Sequence, residues 1–197
     1  MKLLEDRIIK DGKILEGDII KVDSFLNHQL DIKFLNTLAE DVAKYFKNKN
    51  INKILTIEAS GIAFATVISE NMNYIPVVFS KKKKTLNIGD SLWQSHVKSY
   101  TTKKDYMISV SKEFIGKDDN LLIVDDFLAE GNALRGLIDI SKKAGANIEG
   151  ISVAVEKGYQ GGGDYVRKLG YDLYSLAIID SIENGKFSFK RVEYVRN

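Results

Sequence analysis

Two adjacent carboxylates, Asp125 and Asp126, follow four apolar residues, Leu121 to Val124, and precede the short segment Ala129-Glu130-Gly131-Asn132-Ala133. The apolar run is continuous, as in a strand covered on both faces. The acids fall where that strand should end, and neighbouring buried carboxylates are costly unless paired or bound to something. Gly131 permits a tight turn. From Asn132 to Lys143 apolar residues recur at helical spacing, through Ala133, Leu134, Leu137, Ile138 and Ile140. Backbone N–H groups at such a turn and helix start form an anion site, and the acids beside it can take hydroxyls or a metal ion. A phosphorylated sugar, with a phosphate and vicinal hydroxyls, satisfies both halves.

Other proteins use the same pair differently. Acidic strand ends occur in receiver domains and in the metal-binding strand of ATPases, and some are simply solvated. No G-x-x-x-x-G-K-[ST] is present, which argues against an ATPase, and no G-x-G-x-x-G supports a dinucleotide site. There are no cysteines, so disulfides, thiol chemistry and Cys-based metal sites are excluded. Two histidines, His28 and His96, leave little for zinc or for a Ser-His-Asp arrangement. A net charge of +2 is too weak to argue for nucleic acid. No apolar run is long enough to span a membrane and no secretory signal opens the chain, so a cytoplasmic protein is expected.

The 197 residues allow one sizeable domain, and no repeat or low-complexity linker divides them. Residues 1–12 read as a short amphipathic helix stopped near Gly12, and Ile14 to Val22 as strands or an extended hook. Residues 22–31 (VDSFLNHQLD) are too polar for a core strand. Asn27 there either solvates a loop or reads a polar ring edge with its amide donor and acceptor. Asp31 to Asn48 is a helix with Leu35, Leu38 and Val42 on one face.

A second strand-loop-helix unit follows: strand Ile51 to Ile57, loop Glu58-Ala59-Ser60-Gly61, helix Ile62 to Asn73. It is either a plain tight turn or a second anion site. Two such sites at one end of a parallel sheet suit a ligand with two phosphate groups. Ile75 to Ser80 is a third strand, with Lys81 and Lys82 at its end where a polyanion could meet them, and Lys83 and Lys84 reading as solvated. Residues 85–105 are polar and aperiodic, as in a lid, and Tyr106 to Ser111 alternates like one side of a two-stranded flap. Ile148 to Glu156 is a buried strand ending at Lys157, either solvated or in contact with ligand. A glycine triplet (Gly161 to Gly163), a short helix at Tyr165 to Leu169, a strand at Tyr171 to Asp180 and an extended tail at 185–195 complete the chain.

The segment LLIVDDFLAEGNA resembles the phosphoribosyl-diphosphate motif of type I phosphoribosyltransferases. KVDSFLNHQLD, TIEASGIA and VEKGYQGG, in that order, are similar to the xanthine-specific bacterial branch of the family, so the likeness spans nearly the whole chain. It implies an α/β fold, a central mostly parallel sheet flanked by helices, with an N-terminal hood (residues 1–31) and a lid (82–105), all in one domain. It further implies transfer of phosphoribosyl from 5-phosphoribosyl 1-diphosphate to xanthine, with Mg2+ carried mainly on the diphosphate, in a homodimer that binds neither nucleic acid nor membrane.

Carried over by position, Asp125 and Asp126 would hold the ribose hydroxyls, directly or through magnesium. Ala129, Glu130, Gly131, Asn132 and Ala133 would wrap the 5-phosphate. Glu58, Ala59, Ser60 and Gly61 would form the diphosphate loop with Lys81. Ile20, Asn27 and Lys157 would bind the base, Lys157 at its 6-oxo group. The family more often has Thr or Ser where this chain has Asn132 and Ala133, so phosphate contacts there would rest on backbone. A protein of another class on this fold is a phosphoribosyl-diphosphate sensor that binds nucleic acid. Such regulators usually carry a DNA-binding extension or a basic face, and neither is visible here.

Overall fold

The apolar runs and helical stripes become a three-layer α/β fold in a computed structural model describing residues 1–15, 19–83, 91–98, 105–192 and 194. Helix α1 (Lys2–Asp11) buries Leu4 and Ile8 and ends at Gly12, whose N–H reaches Ile8 O at 2.9 Å. Strands β1 (Lys13–Leu15) and β2 (Ile19–Lys21) pair as an antiparallel hairpin. The polar stretch after it is a single π-helical turn, Asp23–Asn27, whose Phe25 and Leu26 are fully buried. It is therefore no plain loop: two apolar side chains anchor it in the core. Helix α2 (Ile32–Tyr45) starts at Asp31, whose carboxylate accepts from Phe34 N–H at 3.1 Å, an N-cap.

Strand β3 (Lys53–Ile57) leads to α3 (Ser60–Asn71), which begins two residues earlier than its apolar pattern predicts. Strand β4 (Val77–Lys83) continues past Ser80 through the lysines, because β6 (Asp105–Ser111) pairs with it from Lys81 to Lys83. Strand β5 (Leu92–Lys98) pairs along all of β6. Part of the expected irregular lid is thus a strand, docked on α4 (Asn132–Ala144). A Cβ on Gly136 of α4 would lie 2.6 Å from Val97 Cγ2 and 2.8 Å from Ile108 Cδ1, so the glycine lets the flap seat closely. The remainder of the lid, residues 84–90 and 99–104, lies outside the described residues.

Strand β7 (Asn120–Leu128) runs through the acidic pair and does not end at it. Helix α4 follows, closed by Gly145 in the left-handed region with Gly145 N–H bonded to Lys142 O and Ala146 N–H to Ser141 O. Strand β8 (Asn147–Lys157), a 3-10 turn at Gly158–Gln160, helix α5 (Gly162–Lys168), strand β9 (Leu173–Glu183) and strand β10 (Lys186–Lys190) complete the order.

The sheet order is β10-β9-β8-β7-β3-β4-β6-β5, parallel from β9 through β4 and antiparallel at both edges. One core packs α1, α2, α3 and the N-terminal hairpin on one face, with Leu38, Phe64 and Leu176 inside. The other packs α4, α5 and the flap on the opposite face, with Leu55, Ile123, Leu137 and Val166 inside. β7 lies in the middle, and the C-terminal ends of the parallel strands open on one side of the molecule. No helix among the described residues is long and apolar enough to cross a membrane.

Candidate active site

Register builds the site. β7 pairs with β3 from Lys53↔Leu121 to Leu55↔Ile123, so continuing that register sets Ile57, the last residue of β3, level with Asp125. Beyond that level β7 keeps only β8 beside it, as far as Leu128↔Glu156. The space left where β3 stops is taken by the loop at 58–61. A Cβ on Gly61 would come within 2.4 Å of Thr56 Oγ1 and 3.1 Å of Asp125 Oδ1, so only glycine lets this loop close on the acid. The Glu58–Ala59 peptide bond is cis, Glu58 N–H donates to Ser80 O at 3.1 Å, and the Glu58 carboxylate accepts from Lys82 N–H. Glu58 therefore ties its loop to β4.

Asp125 and Asp126 are buried, at 5% and 6% exposure. Asp126 N–H donates to Asp125 Oδ1 at 2.9 Å. Burial first, then the charge and the side-chain hydrogen bond of Asp126, hold the Asp125 carboxyl well above the usual range; the Asp126 backbone N–H and the nearby Lys82 charge oppose this more weakly. Burial and the Asp125 charge likewise push the Tyr106 phenol up. Lys82 Nζ lies 5.7 Å from the centre of the Tyr106 ring.

Directly after β7 the chain turns through Ala129 to Gly131 into α4. Gly131 has φ +82°, a left-handed conformation that suits glycine, and Asn132 Nδ2 donates to Glu130 Oε2 at 3.1 Å. The four N–H groups at the start of a helix have no partner within it, so this turn presents donors beside the acids. Asp125, Phe127, Leu128, the segment Ala129–Leu134, Lys157 and Gln160 line one cavity of about 530 Å3, joined by Ile19, Lys98 and Tyr106. One chamber thus holds a buried carboxyl, a helix-starting turn rich in backbone N–H donors, an aromatic wall and three cationic or hydroxyl side chains.

A family model described as "Phosphoribosyl transferase domain" matches residues 21–185. The chain belongs to the phosphoribosyltransferase family. It is 49% identical to Xanthine phosphoribosyltransferase 1 of Clostridium perfringens over 190 residues, 96% of this chain and 100% of that protein. It is 51% identical over the same shares to Xanthine phosphoribosyltransferase 2 of Clostridium botulinum. Among solved structures, adenine phosphoribosyltransferase from Giardia lamblia matches with a TM-score of 0.74 at 23% identity, covering 89% of this chain and 96% of that one. The enzyme of that name from Rhodothermus marinus gives 0.72 at 16% identity, covering 91% and 100%. At such identity these two speak for the fold alone, and the fold is the one expected from the sequence.

In this phosphoribosyltransferase the cavity gathers Asp125, residues 129–133 and Lys157, whereas Asp126, the other half of the pair on which the sequence reading rested, is not among its lining residues. Asp126 is buried next to Asp125, and Gly61 abuts the Asp125 carboxyl. Ile20 is turned away: alternation in the short strand β2 sends it into the core, at 8% exposure, and leaves Ile19 to line the cavity. Asn27 is not among the lining residues, but its Oδ1 is buried without a hydrogen-bond partner among the described residues. Lys81 lies on the other face of β4, lining a separate groove with Phe79 and Phe114. Its neighbour Lys82 is the lysine whose charge acts on Asp125.

Sequence reasoning did not find Tyr106, Lys98 or Gln160. Tyr106 carried a signal, since it begins the alternating flap strand. Lys98 and Gln160 carried none. His28 and His96 are both exposed.

Proposed function

We propose that this chain transfers the phosphoribosyl group from 5-phosphoribosyl 1-diphosphate to xanthine, giving xanthosine 5-monophosphate and diphosphate. The observation that carries this reading is the single cavity in which the buried Asp125, the turn at 129–133 and Lys157 face one another. The names of the curated relatives support xanthine as acceptor.

In this reading the backbone N–H groups of residues 129–133 bind the 5-phosphate, and the carboxyls of Asp125 and Asp126 bind the ribose 2- and 3-hydroxyls. A carboxylate accepts hydrogen bonds from the two hydroxyls of a diol. The loop at 58–61 and Lys82 receive the diphosphate. Lys157 donates to the purine 6-oxo group, which disfavours adenine, whose amino group would face an ammonium. Asn27 is assigned to the 2-position: its amide, turned to donate, suits the 2-oxo group of xanthine. Phe127 and Ile19 flank the ring, with Ile20 packed behind.

The bond to diphosphate breaks well before the purine nitrogen bonds, so positive charge develops on the sugar. No protein nucleophile is required, in keeping with a chain without cysteine. Binding both ends of the sugar phosphate fixes its geometry.

The carboxyl pair also fits magnesium, because a nearby cation offsets the burial and the Asp126 charge that raise the Asp125 carboxyl. Among the described residues no cluster of three or more His, Asp or Glu could cage it, so substrate oxygens and water would complete its shell. When bound, it supplies positive charge that stabilises the departing diphosphate. We further propose that the protein acts in the cytoplasm as a homodimer, which its mass in solution tests directly.

The deciding experiment supplies labelled xanthine, guanine and hypoxanthine side by side with phosphoribosyl diphosphate and magnesium. Xanthosine monophosphate is the expected main product. No nucleotide from any oxopurine, together with salt-sensitive nucleic-acid binding, would replace the enzyme by a regulator.

A further inference from the structure

The glycine triplet after β8 packs on one side against the turn that lines the cavity and on the other against Glu156, the residue before Lys157. Gly161, at φ +74°, turns the chain into α5. Gly162 N–H then donates to Ala129 O at 3.1 Å. A Cβ on Gly162 would meet Ala129 O at 2.2 Å, Gly131 N at 2.7 Å and Glu130 C at 2.8 Å. All three are backbone atoms of the phosphate turn, so no rotamer change could make room. One residue on, a Cβ at Gly163 would lie 1.9 Å from Glu156 Oε1 and 2.6 Å from Arg167 Nη1.

Glu156 is the residue before Lys157, is 2% exposed, and has both oxygens occupied. Arg167 of α5 donates to Oε1 at 2.8 Å and Oε2 at 2.7 Å, and Ser175 Oγ of β9 also donates to Oε2. The Arg–carboxylate fork is strong and directional. It fastens α5 to the end of β8, with Gly163 pinned between. On its other side α5 meets α4: Arg135 lies 3.6 Å over the ring of Tyr165.

We propose that Gly162, Gly163 and the Glu156–Arg167 pair are positioning residues, forming a brace that holds the phosphate turn at a set distance from Lys157. This rests on the reading above, in which that turn holds the sugar phosphate and Lys157 the base. The two binding loci sit on different strands, β7 and β8, and the strand ladder between them stops at Leu128↔Glu156, before either locus begins. Past that point α5 touches both sides: Gly162 packs on the turn, and Arg167 holds Glu156, the residue before Lys157. Transfer needs the sugar carbon and the purine nitrogen held in near-attack register, so a slack connection costs rate.

The test compares the full chain with Gly162→Ala, Arg167→Met and Arg167→Lys, measuring Kd for ribose 5-phosphate, KM for both substrates, and melting temperature. Gly162→Ala should weaken ribose 5-phosphate at least about tenfold while KM for xanthine changes less than about threefold, because its clash is with the turn alone. Arg167→Met should raise both KM values, and Arg167→Lys should recover only part of the loss, since an ammonium cannot make the two parallel bonds. Should Gly162→Ala fail to fold, Tyr165→Leu, which loosens α5 from α4 without a clash, should weaken ribose 5-phosphate severalfold. Variants with lowered melting temperature but wild-type Kd and KM would overturn the brace and leave α5 a packing element. A wild-type protein that neither binds ribose 5-phosphate nor converts xanthine would bring down the functional reading itself and the brace with it.

Discussion

Replacing Asp125 with asparagine should make this protein more stable and less active at once. Asp125 is 5% exposed, and burial together with the adjoining Asp126 holds its carboxyl well above the ordinary value of 3.8. In the unfolded chain it titrates normally. Between 3.8 and the raised folded value the folded state therefore binds the extra proton, so wild-type stability falls as pH rises through that window. The asparagine of Asp125→Asn is nearly isosteric, keeps an oxygen to accept from Asp126 N–H, and has nothing to titrate.

The variant's advantage should grow as pH rises from 3.8 through the raised folded value of Asp125 and fade at the acid end of that window, where Asp125 is protonated in folded and unfolded chains alike. Taking the cost of a buried, incompletely paired polar group as about 1–3 kcal/mol, the gain is roughly 2–12 °C in Tm for a chain of this length. Losing a hydrogen bond to a charged group in the complex costs about 1.5–3 kcal/mol, so phosphoribosyl diphosphate should bind roughly 10–150-fold more weakly. Thermal melts at several pH values and a titration with the sugar diphosphate read both. An asparagine variant no more stable than wild type at pH 7, or one whose advantage grows as pH falls, would refute the account of a strained carboxyl pair.

Lys157→Ala should lose roughly 10–150-fold in affinity for the base while retaining that for the sugar diphosphate; equal losses in paired titrations would remove Lys157 from the base site. Lys82→Met should raise KM for phosphoribosyl diphosphate by roughly fivefold, the equivalent of about 1 kcal/mol for an exposed charge near the anion. Lys81→Met should change it less than about twofold, because Lys81 lies on the far face of β4, and the reverse ranking would restore it to the diphosphate site.

Much of the site is local in sequence, and that part was legible. A continuous apolar run, an acidic pair, a glycine at a turn and a helical stripe are all short-range signals, so β7, the 129–133 turn and α4 could be read from the consecutive residues 121 to 144. The same holds for β3, its loop and α3. Strand lengths were less legible, because pairing sets them: β4 runs on through Lys83 only because β6 offers it a partner, and that extension puts Lys82, not Lys81, on the face of Asp125. Leu92 to Lys98 looked irregular because an edge strand packed on one face needs few apolar residues, and Gly136 of a distant helix supplies its seat.

By itself, then, the sequence determined the chemistry on offer: a carboxyl pair, two glycine-bearing strand-to-helix turns and a lysine at a strand end, each arising from neighbours along the chain. Tertiary structure decided which of these meet. The parity of β2 turned Ile20 inward and Ile19 toward the cavity, and the close approach of Gly162 joined α5 to the turn at Ala129 and Gly131. Side-chain direction in a strand alternates every residue, so a shift of one position in where pairing begins or ends exchanges the faces, and only the packed sheet fixes that position.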